Sequence, residues 1–259
     1  MQPVTSVQDL IEIEKLNWPT IEDRLADGHD TVIFACGAVE QHGPHLPLFA
    51  DAEHGTELAK AIASRLGKTL VAPTIRVGCS DHHMGFKGTL SLRATTLRAI
   101  CEDYVDSLAA HGFRRILIVP SHGGNFGPIT EMLPDLNQRA DGVDVLAFTD
   151  LIGFIEVWQE VIRSELGLEE RVGGHADIAE SSIILSLHPE LVAVDRVAPG
   201  FIQPVSQEAL AHVFEKGLAA VSPTGVLGDA RGMAPWVGRV CVERVADMIA
   251  DSFASASSS

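Results

Sequence analysis

The sequence predicts an α/β fold, a single α/β/α layered domain around a mostly parallel central sheet. Two observations carry this. Short apolar runs alternate with longer segments whose apolar residues recur at helical spacing. The runs Thr31-Val32-Ile33-Phe34-Ala35-Cys36 and Ile116-Leu117-Ile118-Val119 are apolar almost throughout, as strands covered on both faces must be. A chain of 259 residues with 46% hydrophobic content is also long enough to fill one such core. The domain is assigned to residues 1–253, with 254–259 as a short flexible tail. There is no internal repeat and no linker.

In order, Val7 to Leu16 reads as a first helix, and Pro19 opens a second that stops at Gly28. A strand over 31–39 leads into the stiff loop Glu40-Gln41-His42-Gly43-Pro44-His45-Leu46-Pro47, which reaches Asp51. His54 to Leu66 has helical spacing and ends at Gly67, and Thr69 to Ala72 is a short strand. Gly78 to Leu92 is a loop rich in glycine and polar residues. Thr95 caps a helix to about His111, and the strand 114–120 runs into Ser121-His122-Gly123-Gly124-Asn125. A helix over 127–140, a strand over 143–148 and a helix over 151–166 follow. Arg171 to Gly174 reads as a hinge-like loop, and Ala176 to Leu187 as a helix closed by Pro189. Leu191 to Val194 is a candidate edge strand. Helices over 208–220 and 239–253 complete the chain.

The net charge of −16, with no basic stretch to offset it, excludes nucleic acid and anionic membrane as partners. The four cysteines lack any C-x-x-C spacing and read as reduced thiols. The N-terminus has no signal-peptide pattern and no run approaches the ~18 apolar residues of a membrane span. A cytoplasmic protein acting on a small molecule is expected.

Right-handed crossovers would place every strand-to-helix loop at one sheet edge, where α/β proteins bind ligands. The two densest polar clusters follow the two clearest strands, so they should converge. Glu40, His42, Asp51, His122, His175 and Glu180 then offer three carboxylates and two or three imidazoles. Such a set can hold two divalent ions sharing one carboxylate, with zinc, manganese and iron all accepted. A hydroxide between two ions is a strong nucleophile at neutral pH, so metal-assisted hydrolysis is the reaction class that suits this inventory. His122 reads equally as a turn histidine or a ligand until its neighbours are counted. His175, at a helix entrance, is a structural residue or a general acid. Glu180 falls between the inward and outward faces of its helix, a position open to solvation. His54 reads as exposed and His45 as undecided. No nucleophile elbow, P-loop or dinucleotide fingerprint is present.

The pieces Gly37-Ala38-Val39-Glu40-Gln41-His42-Gly43-Pro44-His45-Leu46-Pro47, Asp51, Ser121-His122-Gly123-Gly124-Asn125 and His175 through Ser182 resemble the creatininase (creatinine amidohydrolase) family. Weaker echoes lie at Ser80 to Thr89 and Gly225 to Asp229. The resemblance implies an α/β/α domain with a two-metal site, in a homohexamer built as a trimer of dimers. It implies Glu40 and His122 on one metal, His42 on the second, Asp51 as the bridge and His175 as the catalytic histidine. Creatininase carries a glutamate where Gly124 stands, and members sharing the Gly-Gly use the residue matching Glu180. Its ring-holding tryptophan and aspartate are replaced here by Arg171 and Val172, which argues against creatinine as substrate. Its usual Gly-Glu is replaced by Asp177-Ile178.

The expected function is a dinuclear amidohydrolase cleaving a C–N amide bond of a small, cyclic or open substrate. Zinc is the first choice of metal. His83, Ser80, Arg171 and Gly124 are candidate substrate contacts, with Arg171 able to hold an anionic group. The competing readings are a formamide deformylase, a small-peptide hydrolase, a ring-opening C–C hydrolase and a non-catalytic metal-binding assembly protein.

Overall fold

The two apolar runs lie side by side at the centre of the molecule. The structure is a computed structural model that describes residues 10–203 and 207–256. Strand β1 (Thr31–Cys36) is flanked by β2 (Thr69–Val71) and β3 (Arg115–Pro120), with β4 (Asp144–Ala147) beyond β3, all parallel. The order β2-β1-β3-β4 means that the chain turns one way from β1 to β2 and then crosses to the other side at β3. The switch point therefore falls between β1 and β3, the place where an open parallel sheet leaves a crevice at its carboxyl edge.

Side-chain alternation divides the core. Ile33, Ala35, Leu117 and Val119 pack against α2 (Ala50–Leu66), α5 (Leu151–Leu166), α6 (Ile178–Leu187) and α9 (Pro235–Ala256). Val32, Phe34, Cys36, Ile116 and Ile118 pack against α3 (Ala94–Ala110) and α4 (Gly123–Arg139), with α1 (Trp18–Ala26) adding Ile21 and Leu25. The result is the expected three-layer domain. A small antiparallel pair, β5 (Val172–His175) with β6 (Leu227–Gly228), stands apart from the main sheet. Helices α7 (Gln207–Lys216) and α8 (Leu218–Val221) precede β6.

Several expected elements differ. Val7 to Asp9 lie outside the described residues, and the rest of the predicted first helix is extended. Glu12 bridges to Val71 and only Ile13–Lys15 form a 3-10 turn. Ile11 and Ile13 pack into the two opposite core layers, a period of two that excludes a helix. Strand β1 stops at Cys36, and Leu191 to Val194 form parts of two 3-10 turns rather than an edge strand. The helix expected over 208–220 breaks at Gly217, whose φ is +82°. Arg171 to Gly174 is largely the strand β5 instead of a hinge. Helix α9 extends through Ala256, past the start of the predicted tail, whose residues 257–259 lie outside the described set. Among the described residues no helix is long and apolar enough to cross a membrane.

Candidate metal centre

Local chemistry explains how the side chains reach the crevice. After β1, the Gly37 N–H donates to Ile75 O and the Glu40 N–H to Leu48 O, so the loop folds back on itself. Asp51 is not in that loop but in the first turn of α2, where a carboxylate suits the positive end of the helix. Helix α4 starts directly after β3 with His122 as its N-cap. Asn125, fully buried, donates to Cys36 O and Gly37 O and accepts from Cys79 N–H, locking three segments together. Ser121 Oγ donates to Asp51 O over 2.8 Å. Strand β5 brings in His175. Asp177 caps α6, and its two oxygens accept N–H groups of Ala179, Glu180, Gly173 and Gly174.

Seven of the predicted residues converge. Asp51 lies between two imidazoles, with Oδ1 3.2 Å from His42 Nε2 and Oδ2 3.1 Å from His122 Nδ1. Glu180 Oε2 is 3.7 Å from His42 Nε2 and accepts the Ala176 N–H. Glu40 Oε2 is 3.4 Å from His122 Nε2, and its Oε1 is 3.2 Å from His83 Nε2 and 3.7 Å from His175 Nδ1. All seven are buried. Glu180 is therefore not partly solvated, because α6 is apolar on both sides and enclosed by α9 and α2.

Burial pushes the Glu40 carboxyl up to about 7, against the pull of His122 and His42. Burial likewise raises Glu180 to about 8. At His42 burial disfavours charge, but Asp51, Glu180 and Glu40 outweigh it and raise the ring to about 10. His122 rises to about 9 against the same burial, through Glu40 and Asp51. Asp51, buried yet held by His42 and His122, stays well below the usual carboxylate range. Burial and the charge on His42 push His175 well down, so its ring is neutral.

Both oxygens of Glu40 and Oδ2 of Asp51 are buried and accept no hydrogen bond. Buried carboxylate oxygens without donors are costly. A cation between them removes that cost, and three groups of three donors lie within 4.8 Å of one another: Glu40, Asp51 and His122; His42, His175 and Glu180; Glu40, His83 and His175. The nitrogen and oxygen donors fit zinc or manganese.

Gln41 is a residue the sequence did not single out. Its Oε1 accepts the Gly43 N–H and its Nε2 donates to Gly225 O, which fixes the orientation of the amide. The second Nε2 hydrogen faces His83 Nδ1 at 3.0 Å. His175 Nε2 lies 2.9 Å from both Gln41 Nε2 and the Gln41 backbone O. With the two amide hydrogens taken by Gly225 O and His83 Nδ1, the ring nitrogen donates to the backbone O. His175 thus carries its proton on Nε2 and turns a bare Nδ1 toward the cluster. A Cβ at Gly225, whose φ is +74°, would come 1.9 Å from Gln41 Oε1, so only glycine fits beside this amide. The position in the opening motif was the one available signal for Gln41.

The remaining candidates divide. His83 and His175 line a cleft together with Glu40 and His122, and Gly123 rather than Gly124 joins them. A Cβ at Gly124 would lie 2.1 Å from Cys79 O, so no side chain can project there, and the carboxylate beside His42 is that of Glu180. Ser80 Oγ sits 3.4 Å from His122 Nε2. Arg171 does not reach the cleft, because its Nη1 donates to Arg231 O. His45 is buried with Nε2 2.8 Å from Ser181 Oγ. His54 is buried too, against Phe154 and Trp158, with both ring nitrogens unpartnered.

A family profile named Creatininase, described as creatinine amidohydrolase, matches residues 14–253. The chain belongs to the creatininase family. Creatinine amidohydrolase of Pseudomonas putida is 30% identical over 259 residues, covering 93% of this chain and 96% of that one. A mycofactocin precursor peptide peptidase of Mycobacterium ulcerans (strain Agy99) is 35% identical over 209 residues, 77% of this chain and 74% of its own. A solved structure described as a manganese creatininase superposes with a TM-score of 0.75 at 28% identity, over 94% of this chain and 97% of that one. A Zn–Zn form of a creatininase mutant gives 0.73 at 28%, over 94% and 96%. This creatininase-family chain is accordingly a hydrolase acting on C–N amide bonds, with residue clusters suited to metal.

Proposed function

We propose that the protein is a dinuclear metal-dependent amidohydrolase acting on a small amide or short peptide. The observation that carries this is Asp51, whose two oxygens face the imidazoles of two donor sets. Glu40 and His122 would hold one ion, His42 and Glu180 the other, and Asp51 both. Zinc or manganese, named in related structures, are the first candidates, and iron the third. Two such ions would polarise the amide carbonyl and supply a water of lowered pKa. The protein's own part is proton traffic. Neutral His175 accepts a proton on Nδ1 from the attacking water and returns it to the departing nitrogen. Its Nε2–H bond to Gln41 O keeps the ring in register meanwhile. His83 stands at the cleft wall as a substrate contact. The homohexameric assembly that the resemblance implies, and the cytoplasmic location expected from the sequence, belong to this reading.

The test combines metal analysis with a substrate panel of lactams, hydantoins, formamides and short peptides. Glu40→Gln is expected to lose one ion and most activity. His175→Ala is expected to keep both ions and lose about 10²–10⁴-fold in rate. A chain that binds a single ion, or a Glu40→Gln variant of normal activity, overturns the two-metal reading.

A further inference from the structure

One wall of the cleft has no role in the chemistry above. Leu151 and Ile155 on α5, Val213 and Phe214 on α7 and Leu227 on β6 line it, and among the described residues no lysine, arginine or aspartate does. Opposite stand Glu40 and a group of histidines. Val213 and Leu227 are buried and pack with Leu218, so this wall is a fixed part of the fold. Phe214 is different. It is 45% exposed at the cleft mouth, its ring edge-on to His82 with centroids 4.6 Å apart. His82 in turn stacks on His122, with planes 14° apart and centroids 5.6 Å. A solvent-facing aromatic ring thus lies one side chain away from a candidate ligand of the reacting centre. The one cation nominated for substrate binding, Arg171, is turned outward onto Arg231 O.

We propose that the substrate carries an uncharged aliphatic or aromatic side group beside its scissile amide, and that this group docks on the wall of Leu151, Ile155, Val213, Phe214 and Leu227. The substrate class is a short apolar peptide or acyl amide. This rests on the amidohydrolase reading and narrows it. An apolar group covers Phe214 and the aliphatic wall and leaves water, which favours it over a methyl stub by about 10–100-fold. A charged group would meet no counter-charge there and would lose its hydration.

Hydroxamates separate the two layers of the argument, because they bind divalent ions without being cleaved. Affinities of the metal-loaded chain for 4-methylpentanohydroxamate, acetohydroxamate, the monohydroxamate of succinate and 4-aminobutanohydroxamate are measured by calorimetry. The branched alkyl ligand is expected to bind at least about 10-fold more tightly than acetohydroxamate, and both charged ligands no better than it. In Phe214→Ala and Leu151→Ala the alkyl-to-acetyl ratio is expected to fall below about threefold. Equal affinities, tighter binding of a charged ligand, or a ratio unchanged in both variants overturns the inference. A ratio above tenfold with no amide of the panel hydrolysed overturns the amidohydrolase reading instead and leaves the apolar site standing.

Discussion

Gln41 stands between two candidate metal ligands, and its amide acts on the histidines around it. It orients His83 through Nδ1, while its backbone carbonyl sets the proton of His175. Replacing it with leucine removes the amide but not the carbonyl, and is expected to lower kcat about 10–100-fold with metal content retained. Glutamate at this position is a sharper probe. It cannot donate to Gly225 O, and its charge would raise the pKa of both rings, moving the acid limb of the kcat profile to higher pH. A wild-type profile in Gln41→Glu would sink the positioning role. Residues of this kind are hard to read in a sequence. Glu40, His42 and His122 announce themselves as polar groups at the ends of apolar strands. Gln41 has a side chain of ordinary surface type. His54 misled for a related reason: its helix turn carries polar neighbours, and only Phe154 and Trp158, far along the chain, bury it.

At the scale of elements, α6 is the piece on which the second donor set depends. Ala176 has a left-handed φ of +52°, and the Asp177 cap follows it at once. The left-handed turn directs the Ala176 N–H onto Glu180 Oε2. Asp177 accepts four N–H groups with two oxygens, so asparagine is expected to fail here although it is an excellent cap elsewhere. Its NH₂ would face the N–H groups of Gly173 and Gly174. Both Asp177→Asn and Asp177→Ala are expected to lose at least about 2 kcal/mol in urea unfolding, and to hold less metal by loosening Glu180. Full stability of the asparagine variant would show that one oxygen suffices. The sequence made α6 legible as a helix but not its surroundings, because β5 pairs with β6 across a long separation that no local period reports. Strong periods were read correctly in α2, α3 and α5. The N-terminal segment was not, since Ile11 and Ile13 sit among polar residues that fit a helix equally well.

For the molecule as a whole, the sheet order matters most, because it turns two distant loops into one site. The crevice between β1 and β3 gathers three carboxylates and four imidazoles out of water, and that has a consequence for protons. With no cation among them these groups offset one another's charge. His42 is raised to about 10 and His122 to about 9 by neighbouring carboxylates working against burial, while burial lifts Glu180 to about 8 and Glu40 to about 7. Near neutral pH both of these imidazoles are therefore held in the charged form, and the Glu180 and Glu40 carboxyls are held toward the protonated form. Metal ligation requires the deprotonated forms, so each of these protons must leave as ions enter. The sign follows: raising the pH from 6 toward 9 removes competing protons and strengthens metal binding, and lowering it weakens binding. Titration of the metal-free chain with zinc or manganese at pH 7, in buffers of different ionisation enthalpy, is expected to report net release of at least two protons per chain. Apparent affinity should rise with pH, and the thermal midpoint should climb with metal concentration, since ions bind the assembled site and not the scattered ligands of the unfolded chain. Proton uptake, or an affinity independent of pH over that range, would mean that the ions enter somewhere other than this cluster.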